Sequence, residues 1–468
     1  MKNRIPVVAV FDIGKTNKKL LLFDQFYNLV KENISQFEEI YDEDGFPCEN
    51  LEALSAWLLR EFQMLKGSQE YELKAVNFST YGASLVHVDR NGKPVGYLYN
   101  YLKPYPENLM GRFLDSIDRD RFSLTTCSPL MGHLNAGMQL YWLKYERPEL
   151  FSKIAATLHF PQYLSFLITG RKFAETTNVG CHSAMWNFEK QGYHSWLEKE
   201  GISNRLCDIA PGDSAVPVKN EFTGESITVG IGLHDSSAAL IPYLKSFPGP
   251  FMILSTGTWA ISLNPFNKTL PQTTELAKGC LSYLSYEGNP VKASMLFSGN
   301  DHDLQVRRIA EHFNVGPDFY KTVNPDDALL NRFLQIGNRD MGDLLVDAVT
   351  PSYFHKRSLS DFSTHVEAYH QLVVDLVTQQ RLSSGMVLKG ADVSDIYVDG
   401  GFCKNELYMK LIADAFPEKT VYAASMNQGT ALGSALAIHK HWNTNELANS
   451  FMELTKWPSS SLNTVEKI

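Results

Sequence analysis

The hydrophobic pattern repeats one arrangement at two distant places in the chain. Residues 7–24 read VVAVFDIGKTNKKLLLFD, and residues 251–263 read FMILSTGTWAISL. Each pattern predicts a β-hairpin whose two apolar strands flank a turn of small and hydroxyl-bearing residues. Glycine can adopt a positive φ and turns backbone N–H groups outward toward a ligand, while Ser and Thr add hydroxyl donors. Two such turns predict a duplicated, two-lobed protein that holds a polyphosphate.

The pattern after the first hairpin continues as strand, helix and strand. Asn33–Tyr41 predicts a third strand, Leu51–Leu65 a helix, and Ala75–Ser79 a strand. This order is typical of a ribonuclease-H-like domain. Further elements are predicted at Gly137–Tyr145 and Leu158–Ile168 (helices), Asp361–Leu382 (helix), Ile396–Val398 (strand), and Asn405–Ala415 and Gly429–Lys440 (helices). The stripe of Met138, Tyr141, Trp142 and Tyr145 is interpreted as core packing.

The best candidate for a domain junction is Pro242–Pro250, which contains three prolines and one glycine. That composition argues against a helix or a central strand. We therefore expect one domain over residues 1–245 and a second over 246–468. The tail after Trp442 is polar and is expected to pack loosely.

Composition narrows the class of protein. A chain of 468 residues with 44% hydrophobic and 20% charged residues is expected to be globular with two large domains. Its net charge of −9 argues against an extended nucleic-acid surface, and no stretch reaches the length of a membrane span. The six cysteines are scattered without a CxxC pair, which favours reduced thiols in the cytoplasm, and the thirteen histidines show no zinc-ligand spacing.

Three acidic positions follow apolar strands and carry candidate chemistry. Asp12 suits a water-mediated contact to Mg²⁺, although a turn-forming Asp explains the pattern equally well. Asp399-Gly400-Gly401 precedes a predicted helix, where backbone can lie against an α-phosphate or adenosine, or simply form a helix-entry turn. Asp235 lies where a helix begins, so it is either an N-cap or a general base.

These segments resemble the FGGY carbohydrate kinases, whose superfamily also holds actin, hexokinase and the heat-shock chaperone ATPases. The matching pieces occur in family order over nearly the whole chain: DIGKTNKKLLLFD (12–24), STYGASLVHVD (79–89), WLKYERPELF (142–151), GLHDSSAAL (232–240), STGTW (255–259), DGGFCKNELYMKLIADAF (399–416) and GTALGSALA (429–437). LHDSSAAL and STGTW are most similar to the branch acting on L-fuculose and L-rhamnulose. The resemblance implies an α/β fold of two ribonuclease-H-like (actin-like ATPase) domains with a central cleft for ATP and sugar.

The resemblance also implies roles for individual residues. Asp235 corresponds to the general base. The first phosphate loop would be Asp12, Gly14, Thr16 and Asn17, the second Gly257 and Thr258, and the adenosine side Gly400, Gly401 and Asn405. Asp12 would also bind Mg²⁺ through water. Sugar contacts are expected from Ser84, His234, Asp235, Asn100 and Trp259, with packing roles left open for His234, Asn100 and Trp259.

Two positions depart from the family pattern. Gln139 stands where the family usually has Lys, and Ser84 stands where a Gly-Val-Asp motif often has Asp. The loss of an acidic partner for sugar hydroxyls leaves the substrate open.

The expected function is transfer of the γ-phosphoryl of ATP, with Mg²⁺, to the 1-hydroxyl of L-fuculose or L-rhamnulose. The alternatives are a kinase for another sugar or polyol, such as xylulose or glycerol, and a non-catalytic sugar sensor or actin-like assembly protein. The expected partners are the sugar and ATP, without nucleic acid or membrane, and a homodimer is left open.

Overall fold

The computed structural model describes residues 4–340, 348–426 and 428–459. The helices in these ranges are α1 (Leu51–Lys66), α2 (Glu107–Asp115), α3 (Arg119–Thr126), α4 (Ala136–Glu146), α5 (Pro148–Lys153), α6 (Phe160–Thr169), α7 (Thr176–Val179), α8 (Trp196–Lys199), α9 (Asp235–Ser246), α10 (Thr273–Leu276), α11 (Ser298–Phe313), α12 (Asp327–Asp340), α13 (His365–Leu388), α14 (Glu406–Ala415) and α15 (Gly429–Ala437). None of these described helices is long and apolar enough to cross a membrane.

The strands in the described ranges are β1 (Ile5–Ile13), β2 (Lys18–Asp24), β3 (Leu29–Ser35), β4 (Ile40–Tyr41), β5 (Pro47–Cys48), β6 (Tyr71–Thr80), β7 (Leu85–Val88), β8 (Pro94–Val95), β9 (Ala156–His159), β10 (Ala174–Glu175), β11 (Trp186–Asn187), β12 (Gly192–Tyr193), β13 (Ile209–Ala210), β14 (Ala215–Lys219), β15 (Ser226–Gly230), β16 (Leu233–His234), β17 (Phe251–Thr256), β18 (Ala260–Asn264), β19 (Cys280–Leu284), β20 (Pro290–Leu296), β21 (Asp395–Gly400), β22 (Thr420–Ser425) and β23 (Glu453–Trp457). The six cysteines all lie in the described ranges, and no disulfide joins them.

The chain forms two compact units, and each is discontinuous in sequence. Unit 1 comprises Met1–Phe247, Ser282–Pro290 and Asn427–Phe451. Unit 2 comprises Pro248–Leu281, Val291–Met426 and Met452–Ile468. The division into domains 1–245 and 246–468 stays a prediction.

Both units are built on the same sheet topology. In unit 1 the strand order is β14-β15-β6-β1-β2-β3, with β1, β2 and β3 antiparallel and β6 parallel to β1. In unit 2 the order is β20-β18-β17-β21-β22-β23, with β17, β18 and β20 antiparallel and β21 parallel to β17. The five core strands in chain order are β1, β2, β3, β6 and β15 in unit 1, and β17, β18, β20, β21 and β22 in unit 2. In both sheets the third of these strands lies beside the second, the second beside the first, the first beside the fourth, and the fourth beside the fifth. The prediction of two ribonuclease-H-like domains in an α/β fold is confirmed.

The cores are apolar and follow the predicted periodicity. In unit 1 one cluster packs β1 and β6 against α1, where the ring of Phe11 meets that of Trp57 at 5.3 Å, edge to face. A second cluster surrounds α4, where Met138, Tyr141 and Trp142 are buried as expected for core packing. In unit 2 the buried side chains of α13 and α14 cover β17 and β21.

The helix α9 corrects the sequence-based reading of Pro242–Pro250. The helix continues through Pro242 to Ser246, although a helix was not expected there. Proline cannot donate a hydrogen bond to the carbonyl four residues earlier, which is that of Ala238. Helix α15 covers this carbonyl with Gly433, since a Cβ built on Gly433 would lie only 1.8 Å from the Ala238 oxygen. The proline is tolerated because a glycine on the neighbouring helix packs against the oxygen that it leaves without a helical donor.

The tail after Trp442 is a second correction. Part of it forms β23, which pairs antiparallel with β22. Val421 lies opposite Trp457 at one end of the pairing, and Ser425 lies opposite Glu453 at the other. Residues 460–468 lie outside the described residues. Pairing with β22 satisfies backbone groups along that strand, and this long-range partner leaves no mark on the local composition.

The α9–α15 contact gives a stability prediction. Gly433→Ala should destabilise the protein by about 1–3 kcal/mol, because the added methyl overlaps the Ala238 carbonyl and forces the helices apart. The matched control is Gly385→Ala in α13, where a Cβ would meet nothing within 4 Å. That change should stabilise by up to ~1 kcal/mol through helix propensity. Thermal melting of both variants decides the matter, and equal melting temperatures would contradict the close approach.

Candidate active site

The central strand β6 places two carboxylates near one edge of the unit 1 sheet. Ser79 on β6 lies opposite Asp12 of β1 on one side and opposite Leu233 of β16 on the other. Both flanking strands run parallel to β6, so their carboxyl ends lie at the same edge. Asp235 follows two residues after Leu233, as the first residue of α9. The sheet therefore brings together two acidic side chains that are far apart in sequence.

Asp12 is half-buried and accepts a hydrogen bond from the Ser79 hydroxyl at 2.7 Å. Removal from water raises the pKa of Asp12 to about 6, and the charge of Asp235 adds to the rise, whereas the Ser79 bond opposes it. A carboxyl in this setting can accept a proton or bind a cation near neutral pH. The described residues contain no group of three or more His, Cys, Asp or Glu side chains that could hold a metal ion.

The Asp235 side chain is 37% exposed, so its carboxyl can meet a ligand. The backbone N–H of Ser236 donates to Oδ1 at 2.6 Å, and Nε2 of His234 lies 3.3 Å from the same oxygen. Partial burial raises the pKa of Asp235 to about 6. Burial lowers the pKa of His234 to about 4, so the imidazole is neutral at pH 7. Nδ1 of His234 is buried and has no hydrogen-bond partner among the described residues, whereas Nε2 is the ring nitrogen that lies near Asp235.

Three further residues, none of them a predicted site residue, surround His234. The ring of Tyr283 meets that of His234 at 5.7 Å and 89°, and the ring of His182 lies 6.1 Å away. A Cβ on Gly82 would lie 2.8 Å from Nε2 of His234, so only glycine leaves room for the imidazole. Tyr283 comes from the Ser282–Pro290 segment of unit 1. Gly82 lies in the family-like segment STYGASLVHVD, whereas His182 and Tyr283 reach His234 only through long-range packing, so no local sequence signal marks these two.

Gln139 and Ser84, the two residues that depart from the family pattern, both form hydrogen bonds to the Gly82-Ala83-Ser84 turn. The Gln139 amide donates to the carbonyls of Ala83 at 2.6 Å and His133 at 2.7 Å. The hydroxyl of Ser84 is buried and donates to the Gly82 carbonyl at 3.1 Å. Both side chains therefore stabilise the conformation of the turn.

Both polar atoms of the Asn100 side-chain amide form hydrogen bonds to backbone groups. Its Nδ2 donates to the Pro47 carbonyl at 3.0 Å, and its Oδ1 accepts from the Leu102 N–H at 3.0 Å. This arrangement supports a turn-forming role, and the expected sugar contact stays a prediction.

The first phosphate turn lies between β1 and β2 of unit 1. The Gly14 N–H donates to the Asn17 carbonyl at 3.0 Å and closes the turn, while Thr16 is exposed at its tip. The Asn17 side chain accepts from Gln36 at 2.9 Å. Gly14 does not adopt a positive φ, so the expected left-handed backbone is wrong at this position. What requires a small residue is the approach of the Asn17 carbonyl, 3.2 Å from a Cβ built on Gly14.

The corresponding turn of unit 2 joins β17 and β18. Gly257 and Thr258 are exposed, and the Gly257 N–H donates to the Trp259 carbonyl at 2.9 Å. The turn rests on the first residues of α11, because a Cβ on Gly299 would lie 1.8 Å from the Gly257 oxygen. Gly257 also lacks a positive φ. The Trp259 ring packs on Phe297 at 4.4 Å within unit 2.

The third glycine turn lies beside the second at the same edge of the unit 2 sheet. Gly400 pairs with Thr256 and has a φ of +84°, and a Cβ there would lie 1.8 Å from the Thr256 oxygen. The Gly401 N–H donates to the same oxygen at 2.7 Å. Asn405 caps α14 through the Tyr408 N–H at 3.0 Å and donates to the Tyr369 hydroxyl at 2.6 Å. The Asn405 side chain thus has a structural role in addition to any contact with adenosine.

Comparison with known proteins explains this arrangement. The N-terminal domain of the FGGY family of carbohydrate kinases matches residues 7–241, and its C-terminal domain matches residues 363–439. The chain belongs to the FGGY family of carbohydrate kinases. The protein is therefore a sugar kinase, an enzyme of the transferase class, and ATP binding is implied by the family.

Relatives and solved structures agree with this family. The chain is 25% identical over 446 residues to a rhamnulokinase of Oceanobacillus iheyensis and 24% identical over 451 residues to that of Halalkalibacterium halodurans, with 91% of each chain covered in both cases. A carbohydrate kinase structure from Novosphingobium aromaticivorans matches with a TM-score of 0.78 at 19% identity, covering 98% of this chain and 95% of that one. A xylulose kinase from Rhodospirillum rubrum has the same TM-score at 15% identity, covering 97% and 94%. These structures share the fold.

The raised pKa values of Asp12 and Asp235 predict the acid side of the activity profile. Both carboxyls gain a proton as the pH falls through about 6, whereas ordinary aspartates stay ionised to about pH 4. If transfer needs either carboxylate, kcat should be full above pH 7 and fall with a midpoint near 6. A pH series of sugar kinase activity at saturating substrates measures this limb. Constant kcat down to about pH 4.5, with the protein still folded, would contradict it.

Proposed function

We propose that this kinase transfers the γ-phosphoryl of ATP to the 1-hydroxyl of a 6-deoxy-ketohexose, L-rhamnulose or L-fuculose, in the cytoplasm. The observation that carries the transfer chemistry is the Asp235 carboxyl, which is accessible and sits beside a neutral imidazole. The rhamnulokinases that align over most of the chain support the ketose. The branch-like segment LHDSSAAL around Asp235 supports it as well.

Asp235 serves as the general base in this proposal. A sugar hydroxyl is a weak nucleophile, and a positioned carboxylate that accepts its proton contributes about 10²–10⁴-fold. With a pKa of about 6, Asp235 is ionised at pH 7 yet more basic than an exposed aspartate. The backbone N–H and the hydroxyl of Ser236 both donate to Oδ1 of Asp235, which leaves Oδ2 to accept the hydroxyl proton of the sugar.

The sugar contacts are assigned to the surroundings of Asp235. His234 is the best supported, because its buried Nδ1 has no hydrogen-bond partner among the described residues. Ser84, Asn100 and Trp259 remain part of the proposal, although the polar atoms of Ser84 and Asn100 already bond to backbone. Aromatic surfaces such as Tyr81 are suited to the methyl group of a deoxy sugar.

The glycine turns are proposed to hold ATP. Asp12, Gly14, Thr16 and Asn17 of unit 1 would bind phosphate oxygens through backbone N–H groups and the Thr16 hydroxyl. Gly257 and Thr258 of unit 2 would do the same, while Gly400, Gly401 and Asn405 would contact the adenosine side. The exposure of Thr16, Gly257 and Thr258 supports these roles.

The donor set around Asp12 fits magnesium. One half-buried carboxylate with a hydroxyl partner suits Mg²⁺, which keeps several waters and is usually bound through one or two carboxylates plus substrate phosphates. When bound with ATP, the ion would supply neutralisation of phosphate charge. Asp12 would hold its hydration shell, and Ser79 would orient the carboxylate.

The role of Asp235 is tested by Asp235→Asn. Transfer should fall by about 10²-fold or more, because the amide cannot accept the hydroxyl proton. ATP affinity, measured by calorimetry with a non-hydrolysable analogue, should change little, since the carboxylate contacts the sugar. Glu198→Gln on the surface of unit 1 provides a matched charge-removing control. Near-normal turnover by folded Asp235→Asn would refute the assignment.

The substrate is tested by comparing kcat/KM across sugars in an assay coupled to ADP release. L-rhamnulose and L-fuculose should exceed D-xylulose and glycerol, with a selectivity of roughly 10–200-fold against a close analogue that differs at the methyl group. Ser84 in place of an acidic residue is compatible with a looser preference. If D-xylulose or glycerol were preferred by more than about tenfold, ~1.4 kcal/mol, the deoxy-ketose assignment would be wrong and only sugar kinase activity would stand.

A further inference from the structure

Glu175 is a buried carboxyl with no role in the chemistry assigned above. It ends β10, and none of its surface is exposed. Its two oxygens accept five hydrogen bonds, from Thr176 Oγ1 (3.0 Å), Thr177 N (2.7 Å), Thr177 Oγ1 (2.6 Å), Asn178 N (3.2 Å) and Asn178 Nδ2 (3.0 Å). All five donors are neutral, and the described part of the chain shows no ion pair to this carboxyl. Such a site needs a side chain that only accepts hydrogen bonds.

Thr177 connects this carboxyl to the segment that carries the base. Its hydroxyl donates to Glu175 Oε2 at 2.6 Å and accepts the backbone N–H of His234 at 2.9 Å. A hydroxyl has a single proton, so its donation to the carboxylate turns a lone pair toward His234. His234 is followed directly by Asp235, the first residue of α9. A fixed chain of hydrogen bonds therefore runs from Glu175 to the backbone that precedes the base.

The packing around these hydrogen bonds leaves the side chain of Glu175 little freedom to move. A Cβ on Gly212 would lie 2.8 Å from Glu175 Oε1 and 2.7 Å from a methyl of Leu233. Gly212 therefore packs closely against both Glu175 and Leu233 of β16. Burial raises the pKa of Glu175, while the hydrogen bonds from its neighbours favour the acceptor-only form.

We propose that Glu175 and Thr177 are positioning residues for Asp235. They hold the His234 N–H, and through it they set the direction in which the Asp235 carboxylate leaves the start of α9. Neither side chain contacts the reacting atoms. The inference rests on the proposed role of Asp235 as the base.

The test compares Thr177→Val, which removes the hydroxyl, with Thr177→Ser, which retains it. Thr177→Val should lower kcat by roughly 10- to 100-fold, the effect expected of a small misplacement, with the KM for ATP within about twofold of the original. It should also shift the acid limb of kcat away from pH 6, because a displaced carboxylate meets a different amount of water. Thr177→Ser should restore kcat to within about threefold. Thr126→Val is the matched control, since it removes another buried hydroxyl, one that bonds only within α3.

A second variant, Glu175→Gln, addresses the acceptor-only requirement. The amide of this variant places its N–H groups against the donors of Thr176, Thr177 and Asn178. The variant should therefore show the same loss in kcat and the same altered pH profile. It provides the test if Thr177→Val does not fold. Wild-type kcat and pH profile in either folded variant would overturn the inference, and so would a Thr177→Ser variant as slow as Thr177→Val. Asp235→Asn measured in parallel separates the two proposals. Activity in Asp235→Asn refutes the base itself, whereas an inactive Asp235→Asn beside a fully active Thr177→Val refutes only the positioning.

Discussion

The arrangement of unit 1 depends on the register of β6 with its two neighbours. Asp12, Ser79 and Leu233 occupy one row across three parallel strands. Side chains alternate between the faces of a sheet, so a slip of one residue would move Asp12 to the opposite face and away from Asp235. The apolar residues of β1 and β6 hold this register by packing against α1, as the contact between Phe11 and Trp57 illustrates. Core packing thus determines where the two carboxylates meet.

The rings that pack around His234, beside Asp235, are polar but neutral. His182 and His234 are neutral because burial lowers the pKa of His182 to about 3 and that of His234 to about 4. Tyr283 is also neutral, since burial raises the pKa of its hydroxyl well above 10. Among the described residues no Lys or Arg side chain forms an ion pair with Asp235, so no such partner stabilises its charge and reduces its basicity. A neutral surrounding of this kind suits a group that must take up a proton and release it.

Sequence reasoning succeeded where the signal is local. The two hairpins, α1, α4 and the entry to α14 at Asn405 follow from apolar periodicity and turn residues within one segment. The assignment of Asp235 as the base came from a motif and stays a proposal. The sequence could not reveal Tyr283, Glu175 or β23, because their significance depends on partners distant in the chain. The positive φ expected for the phosphate turns is found at Gly400 instead, since a turn can need small size without needing left-handed backbone.

The contact between α9 and α15 has a consequence for the order in which the protein is made. Ala238 leaves the ribosome almost two hundred residues before Gly433, the residue that covers its carbonyl, since 433 − 238 is 195. Until residue 290 has been made, the first 247 residues lack the Ser282–Pro290 segment of unit 1, and for the rest of that interval they still lack most of the Asn427–Phe451 segment. The nascent N-terminal half therefore carries an unfinished surface while unit 2 is being synthesised. Unit 1 can complete its fold only after the Asn427–Phe451 segment has been synthesised, and exposed apolar surface on a partly folded chain favours aggregation until then.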